Sequence, residues 1–216
     1  MCYPRPYNYR ATPTCTSVNT QSLRNRFFVL RHGQSEANEL SLIASCPTIA
    51  VERYGLTTKG REQVRESVSQ QHEELKKVKR IYTSDFLRTR QTAEIAAEQL
   101  GVPIENELRL RERYFGQWDG QSDQNYQTVW AADHEDASHQ KWGVESVRSV
   151  SQRTLEFLLS IDNENEGENY LLVSHGDPLQ ILITTVAGTD LRLHRQIRPL
   201  QTAALRCLAD QEYLLS

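Results

Sequence analysis

The chain has 216 residues, 38% of them hydrophobic and 25% charged, and 25 Lys and Arg against 28 Asp and Glu leave a net charge of -3. That length suits one sizeable domain with a well-buried core and is short for two. The acidic balance argues against a nucleic-acid or anionic-membrane surface, and no apolar run approaches the roughly 20 residues needed to span a bilayer.

Residues 1–25 contain no Asp or Glu, several Arg, and many Thr, Ser and Pro. Mitochondrial and plastid transit peptides share that bias, but the prolines and scarcity of long aliphatic residues oppose an amphipathic helix. The expectation is a polar N-terminal extension. The four cysteines (Cys2, Cys15, Cys46, Cys207) show no CxxC and no pairing rhythm. They read as free thiols in a reducing compartment such as the cytoplasm.

From residue 26 strands and helices alternate. RFFVL (26–30) is a short apolar strand, and LTTKGREQVRESVSQQHEELKK (56–77) a solvated helix. VKRIYTS (78–84) is a second strand, followed by a helix over 85–101 with Ser84 as N-cap and Gly101 as its stop. Residues 113–142 lack a clear period and read as an insertion over one face. In ESVRSVSQRTLEFLLSI (145–161), Val147, Val150, Thr154, Leu158 and Ile161 fall on one helical face. NYLLVS (169–174) is a strand, PLQILITTVAG (178–188) a buried helix, and TAALRCL (202–208) a last strand. The alternation predicts a single α/β domain over 26–216, a three-layer sandwich with a mostly parallel central sheet flanked by helices.

The strand ends carry the chemistry. RFFVL runs into Arg31 and His32, RIYTS into a helix start bearing Arg88, and YLLVS into His175, Gly176 and Asp177. Ligands of parallel sheets bind just beyond the carboxyl ends of the strands, so topology alone brings Arg31, Arg88, His32 and His175 to one rim. A single His after a strand is more often a hydrogen-bonded structural residue than a catalyst. Two such His with two Arg make coincidence a weaker explanation.

Guanidiniums keep their charge and fit phosphate oxygens in pairs. Imidazoles beside them resist protonation and stay nucleophilic. Gly33 and Gly176 let the backbone approach a ligand, and Pro178 suits the first turn of a helix whose free N–H groups favour anions. The set reads as a phosphate site containing a nucleophile. A metal centre fits worse, since the adjacent Arg would repel a cation. His134 and His139, in HEDASH, match no standard ligand spacing.

LRHGQSEAN resembles the RHGxSxxN signature of the histidine phosphatase superfamily, the phosphoglycerate mutase-like family. Four further segments follow in that family's order: YTSDFLRTRQTAE, LRERYFGQWDG, WGVESVRSVSQR and LLVSHGDPLQ. Together they span about residues 26 to 208. The resemblance implies a mostly parallel sheet of five or six strands with one antiparallel edge. It implies His32 as the phosphorylated nucleophile and Arg31, Arg88 and His175 as holders of the phosphoryl group, with Asn38 adding a hydrogen bond and Gly176 at the phosphate. Glu112 is implied as the proton donor and Arg113 as a substrate contact. No cofactor or metal is implied. The chain departs from the family's pattern at Gly55, Asp119 and Val144, none of them a proposed catalytic group.

The same family contains mutases, which carry basic residues between the acid and the GES segment. Here that segment has no Arg, one Lys (Lys141) and an acidic character, which favours hydrolysis of a phosphate monoester. The expected partner is a small-molecule ester, with a phosphoprotein as the other candidate. The aromatics Trp118, Tyr126, Trp130 and Trp142 either contact the organic part of the substrate or simply pack the insertion down. The alternatives to a phosphatase are a phosphoglycerate mutase-type phosphotransferase and a binding module that holds a phospho-ligand without turnover.

Overall fold

A computed structural model describes residues 23–210 of the chain. Its strands are β1 (Arg26–Arg31), β2 (Val78–Thr83), β3 (Ile104–Asn106), β4 (Asn169–Ser174) and β5 (Leu205–Cys207). They form one sheet in the order β3-β2-β4-β1-β5. All neighbours run parallel except β5, which pairs antiparallel with β1 at the edge. In chain order the helices are α1 (Glu36–Glu39), α2 (Pro47–Ala50), α3 (Thr58–Gln70), α4 (His72–Leu75), α5 (Leu87–Leu100), α6 (Tyr126–Glu135), α7 (Val147–Glu164) and α8 (Gly176–Val186).

Strand alternation builds the layers. Phe28 and Leu30 of β1 pack with Val64 and Val68 of α3 and Ala93 and Ala96 of α5 on one face. Phe27 and Val29 face the other way, onto Leu155 and Leu158 of α7 and Leu179 and Leu182 of α8. Each such Val, Leu or Phe side chain contributes roughly 1.5–3 kcal/mol on burial. This is the expected three-layer sandwich, with an antiparallel edge.

Several local readings need correcting. The helix expected over 56–77 breaks at Gln71 into α3 and α4. Ser84 does not cap α5, whose N-cap is Phe86; Gly101 does end it, at φ 67°. β3 was not foreseen, because its three residues are exposed and show no apolar signal. Within 113–142 lies α6, whose buried residues Val129, Ala132 and Asp133 include a charge that hides its apolar face. Cys46 is disulfide-bonded, so the scattered spacing did not mean four free thiols, while Cys207 is free and buried.

The reading of residues 1–25 as a polar extension falls mostly outside the described residues. Its last three, Leu23 to Asn25, belong to the folded domain, Leu23 by packing on the apolar cluster under α7 and α8. Arg24 N and Asn25 N donate to Asp162 Oδ1 at 3.0 Å each, and Asn25 Nδ2 adds a third bond to that atom at 3.1 Å. Among the described residues no helix is long and apolar enough to cross a membrane.

Asp162 is 4% exposed and is the acceptor that docks Arg24 and Asn25 onto α7. Asp162→Ala strands these donors and is expected to cost about 1–3 kcal/mol in urea unfolding.

Candidate active site

The parallel register aligns the strand ends: Arg31 pairs with Ser174 and Thr83 with Val173. The ladder continues one step further through His32 N to Ser174 O (3.0 Å) and Ser84 N to Val173 O (3.1 Å). His32, His175 and Ser84 are thereby set on one rim, and the His32 and His175 rings meet edge to face at 5.3 Å.

His32 is held at both nitrogens. Nδ1 lies 2.8 Å from Gly33 O, an acceptor, so Nδ1 carries the proton. Nε2 then keeps its lone pair and accepts Arg88 Nε at 3.2 Å. Burial, then Arg88, then Arg31 push the His32 pKa well below its usual value, and the ring is neutral. His175 is also held neutral, by burial and then by Arg88. Its Nε2 meets Ser84 Oγ at 2.9 Å, a partner that the sequence reading had assigned to a helix cap.

The arginines are fixed from behind. Arg31 Nη1 donates to Leu200 O at 2.6 Å. Arg88 Nη2 donates to Ala44 O at 3.0 Å. The loop carrying Ala44 is gathered by Asp119 Oδ1, which accepts Ser45 N, Ser45 Oγ and Cys46 N at 2.6–2.8 Å. Thus the Asp that departs from the family pattern still shapes the pocket around His32 and Arg88. Arg31 Nε, Arg88 Nη1 and His175 Nδ1 are buried with no protein partner. The two guanidinium nitrogens are donors, and His175 Nδ1 is a third in the tautomer whose Nε2 accepts the Ser84 hydroxyl. Buried donors without partners are rare and costly, so a pocket that gathers them suits an oxyanion.

Glu112 lies across the pocket, with Oε2 3.8 Å from both Arg88 Nη2 and His175 Nδ1. Burial raises its pKa to about 7 against the pull of Arg88, and Asp177 adds to the rise. Such a carboxyl is partly protonated at neutral pH, as a proton donor to a leaving oxygen requires.

Other implied residues sit differently. Asn38 Oδ1 is committed to Ser35 N and Ser35 Oγ at 3.0 Å each, in a capping box at α1, so Nδ2 is the end left for a ligand. Gly176 is the first residue of α8, and a Cβ there would stand 3.3 Å from the Arg31 guanidinium. Gly33 serves packing rather than ligand approach, since its Cβ would fall 2.3 Å from Gly60 O of α3. Arg113 does not reach the pocket. It is fully buried, forks onto Asp133 with two bonds of 2.7 Å, and donates through Nε to Glu145 O at 2.7 Å.

The cover is not purely acidic and aromatic. Tyr126 stacks on Trp130 at 5.1 Å, and Arg195, from the loop after α8, lies 3.7 Å over the Trp130 ring. Trp130 Nε1 and Arg195 Nη1 both donate to Asp177 Oδ1 at 3.1 Å. Trp118 and Trp142 instead pack with Ile43, Phe115 and Val144. Exposed His134 and buried His139 face different surroundings, and His139 Nε2 is engaged with Asp133 at 2.8 Å. Among the described residues no three His, Cys, Asp or Glu are placed to hold a metal ion.

The chain belongs to the histidine phosphatase superfamily, branch 1, which it matches over residues 27–213. It is 33% identical over 181 residues to a probable phosphoglycerate mutase, GpmB, of Serratia proteamaculans, covering 79% of each chain. It is 29% identical over 168 residues to the adenosylcobalamin/alpha-ribazole phosphatase of Salmonella typhimurium, covering 73% of this chain and 77% of that one. In three dimensions it resembles a mycobacterial glucosyl-3-phosphoglycerate phosphatase complexed with VO3, with TM-score 0.72 and 23% identity over 84% of this chain and 91% of that one. The last likeness is one of fold.

With an alkyl phosphate, kcat/KM is expected to fall as pH rises through about 7, where Glu112 loses its proton. Glu112→Gln, which cannot titrate, should remove that limb in a pH–rate profile.

Proposed function

We propose that the protein hydrolyses phosphate monoesters through a phosphohistidine on His32. The observation that carries this reading is the His32 ring itself, proton on Nδ1 at the Gly33 carbonyl, lone pair on Nε2 beside Arg88. Arg88 Nε passes its hydrogen bond from His32 Nε2 to a phosphoryl oxygen, and the freed Nε2 lone pair attacks phosphorus in line while Arg31, Arg88, His175 and Asn38 Nδ2 hold the non-bridging oxygens. Protonated Glu112 gives its proton to the leaving alcohol. Glu112, now a carboxylate, takes a proton from water, which attacks the phosphohistidine and returns phosphate. The positive charge at the phosphoryl group comes from guanidiniums, so the reaction proposed is independent of metal.

Hydrolysis is favoured over mutase chemistry because Arg113, the cation beside the acid, is spent on Asp133 and on Asp177, 3.2 Å from its Nη1. A second substrate phosphate gains nothing from it. The partner proposed is a small-molecule monoester. A non-catalytic binder would have no use for a buried, raised-pKa carboxyl facing the neutral imidazoles.

Turnover of p-nitrophenyl phosphate is expected to persist in EDTA, and His32→Ala should lower kcat by roughly 10³-fold or more. Undiminished activity in His32→Ala contradicts the nucleophile. A mutase would instead isomerise phosphoglycerate with little hydrolysis.

A further inference from the structure

Glu112 is held from the side away from the pocket. Its Oε1 accepts the Arg113 backbone N–H at 2.9 Å, which turns Oε2 toward Arg88 and His175. Its carbonyl accepts Arg153 Nη2 at 3.4 Å. The placement of the acid therefore depends on where Arg113 lies, and Arg113 is pinned by its side chain. Both terminal nitrogens go to Asp133 of α6, one of them also to Asp177 of α8, and Nε to Glu145 O just before α7. Asp133 is itself fully buried and takes a further bond from His139 Nε2 at 2.8 Å. Lys141 N donates to His139 Nδ1 at 3.3 Å, so Nε2 carries the proton given to Asp133.

A buried ion pair is a weak way to gain stability, because apolar residues of similar size often serve as well or better. What a two-pronged Arg–carboxylate pair adds is a fixed orientation. Here the fixed residue is the one whose N–H aims the acid. We propose that Asp133 is a positioning residue for proton donation: through Arg113 it fixes the angle at which Glu112 presents Oε2 to the leaving oxygen. The proposal rests on the phosphatase reading above. It ties α6, in the segment covering the site, to the two proton transfers of Glu112, to the alcohol and from water, and not to the nucleophilicity of His32; kcat/KM, which ends with departure of the alcohol, reads the first of them.

Leaving groups separate proton donation from attack. p-Nitrophenolate departs without a proton, whereas an alkoxide needs one. Asp133→Asn is expected to lower kcat/KM for glycerol 2-phosphate by about 10- to 100-fold and for p-nitrophenyl phosphate by less than about 3-fold. In a Glu112→Gln background the same substitution should add no leaving-group-dependent loss. Should Asp133→Asn fail to fold, His139→Leu removes one donor from Asp133 while leaving Arg113 paired. It is expected to show the same selective loss at a smaller size, about 3- to 10-fold. Equal losses on both esters, no loss in a folded variant, or additive losses with Glu112→Gln overturn the positioning role alone. Wild-type protein that hydrolyses neither ester overturns the phosphatase reading and this proposal with it.

Discussion

A buried guanidinium touching a buried imidazole governs this structure. Arg88 Nε donates to His32 Nε2 at 3.2 Å, in a place from which water is largely excluded. Two cations cannot share that spot, so the imidazole stays neutral and its lone pair stays on the pocket side. The contact survives only because each partner is fixed elsewhere: His32 by the Gly33 carbonyl, Arg88 by the Ala44 carbonyl. The same positive charge that suppresses protonation of His32 is what a phosphoryl group needs when it arrives. Glu112 answers to the opposite influence. Burial outweighs Arg88 and lifts its pKa to about 7, so a partly protonated carboxyl and a neutral imidazole coexist within one pocket.

The fold delivers these groups without long-range contrivance. Parallel strands β1, β2 and β4 end at one level, and the residues just past them face one another. Packing of α3 against the loop after β1 is so close that Gly33 and Gly60 admit no side chain. Segment 113–142 is joined to this frame by charge as much as by apolar contact. Asp133, Arg113, Asp177 and Arg195 alternate in sign across α6, the acid-bearing loop, the start of α8 and the loop beyond it.

Much of this was legible in the sequence, for a physical reason. Apolar runs that end in Arg-His or His-Gly mark both the strand and its carboxyl end, and a parallel sheet then forces those ends together. Arg31, His32, Arg88 and His175 were found this way, and Glu112 through its resemblance to the family's acid. Arg113 was misjudged because sequence adjacency to Glu112 says nothing of direction, and its side chain turns away from the pocket to Asp133. Asp133 and Arg195 gave no signal, since each looks like an ordinary surface charge until the tertiary structure buries or stacks it, and His139 drew notice only as a metal ligand of no standard spacing, whereas its ring serves Asp133. Ser84 was read as a cap from its place before a helix, whereas its hydroxyl is spent on His175 Nε2. β3 is too short and too exposed to leave a pattern.

The central claim, that His32 Nε2 forms a covalent bond to phosphorus, is tested most directly by rapid quench of the wild-type protein with substrate into alkali, followed by mass-spectrometric mapping of the phosphorylated peptide. The account predicts phosphate on His32, attached at Nε2, formed and lost at rates that support turnover. Phosphate on another residue, or turnover with no phosphoenzyme, would contradict it.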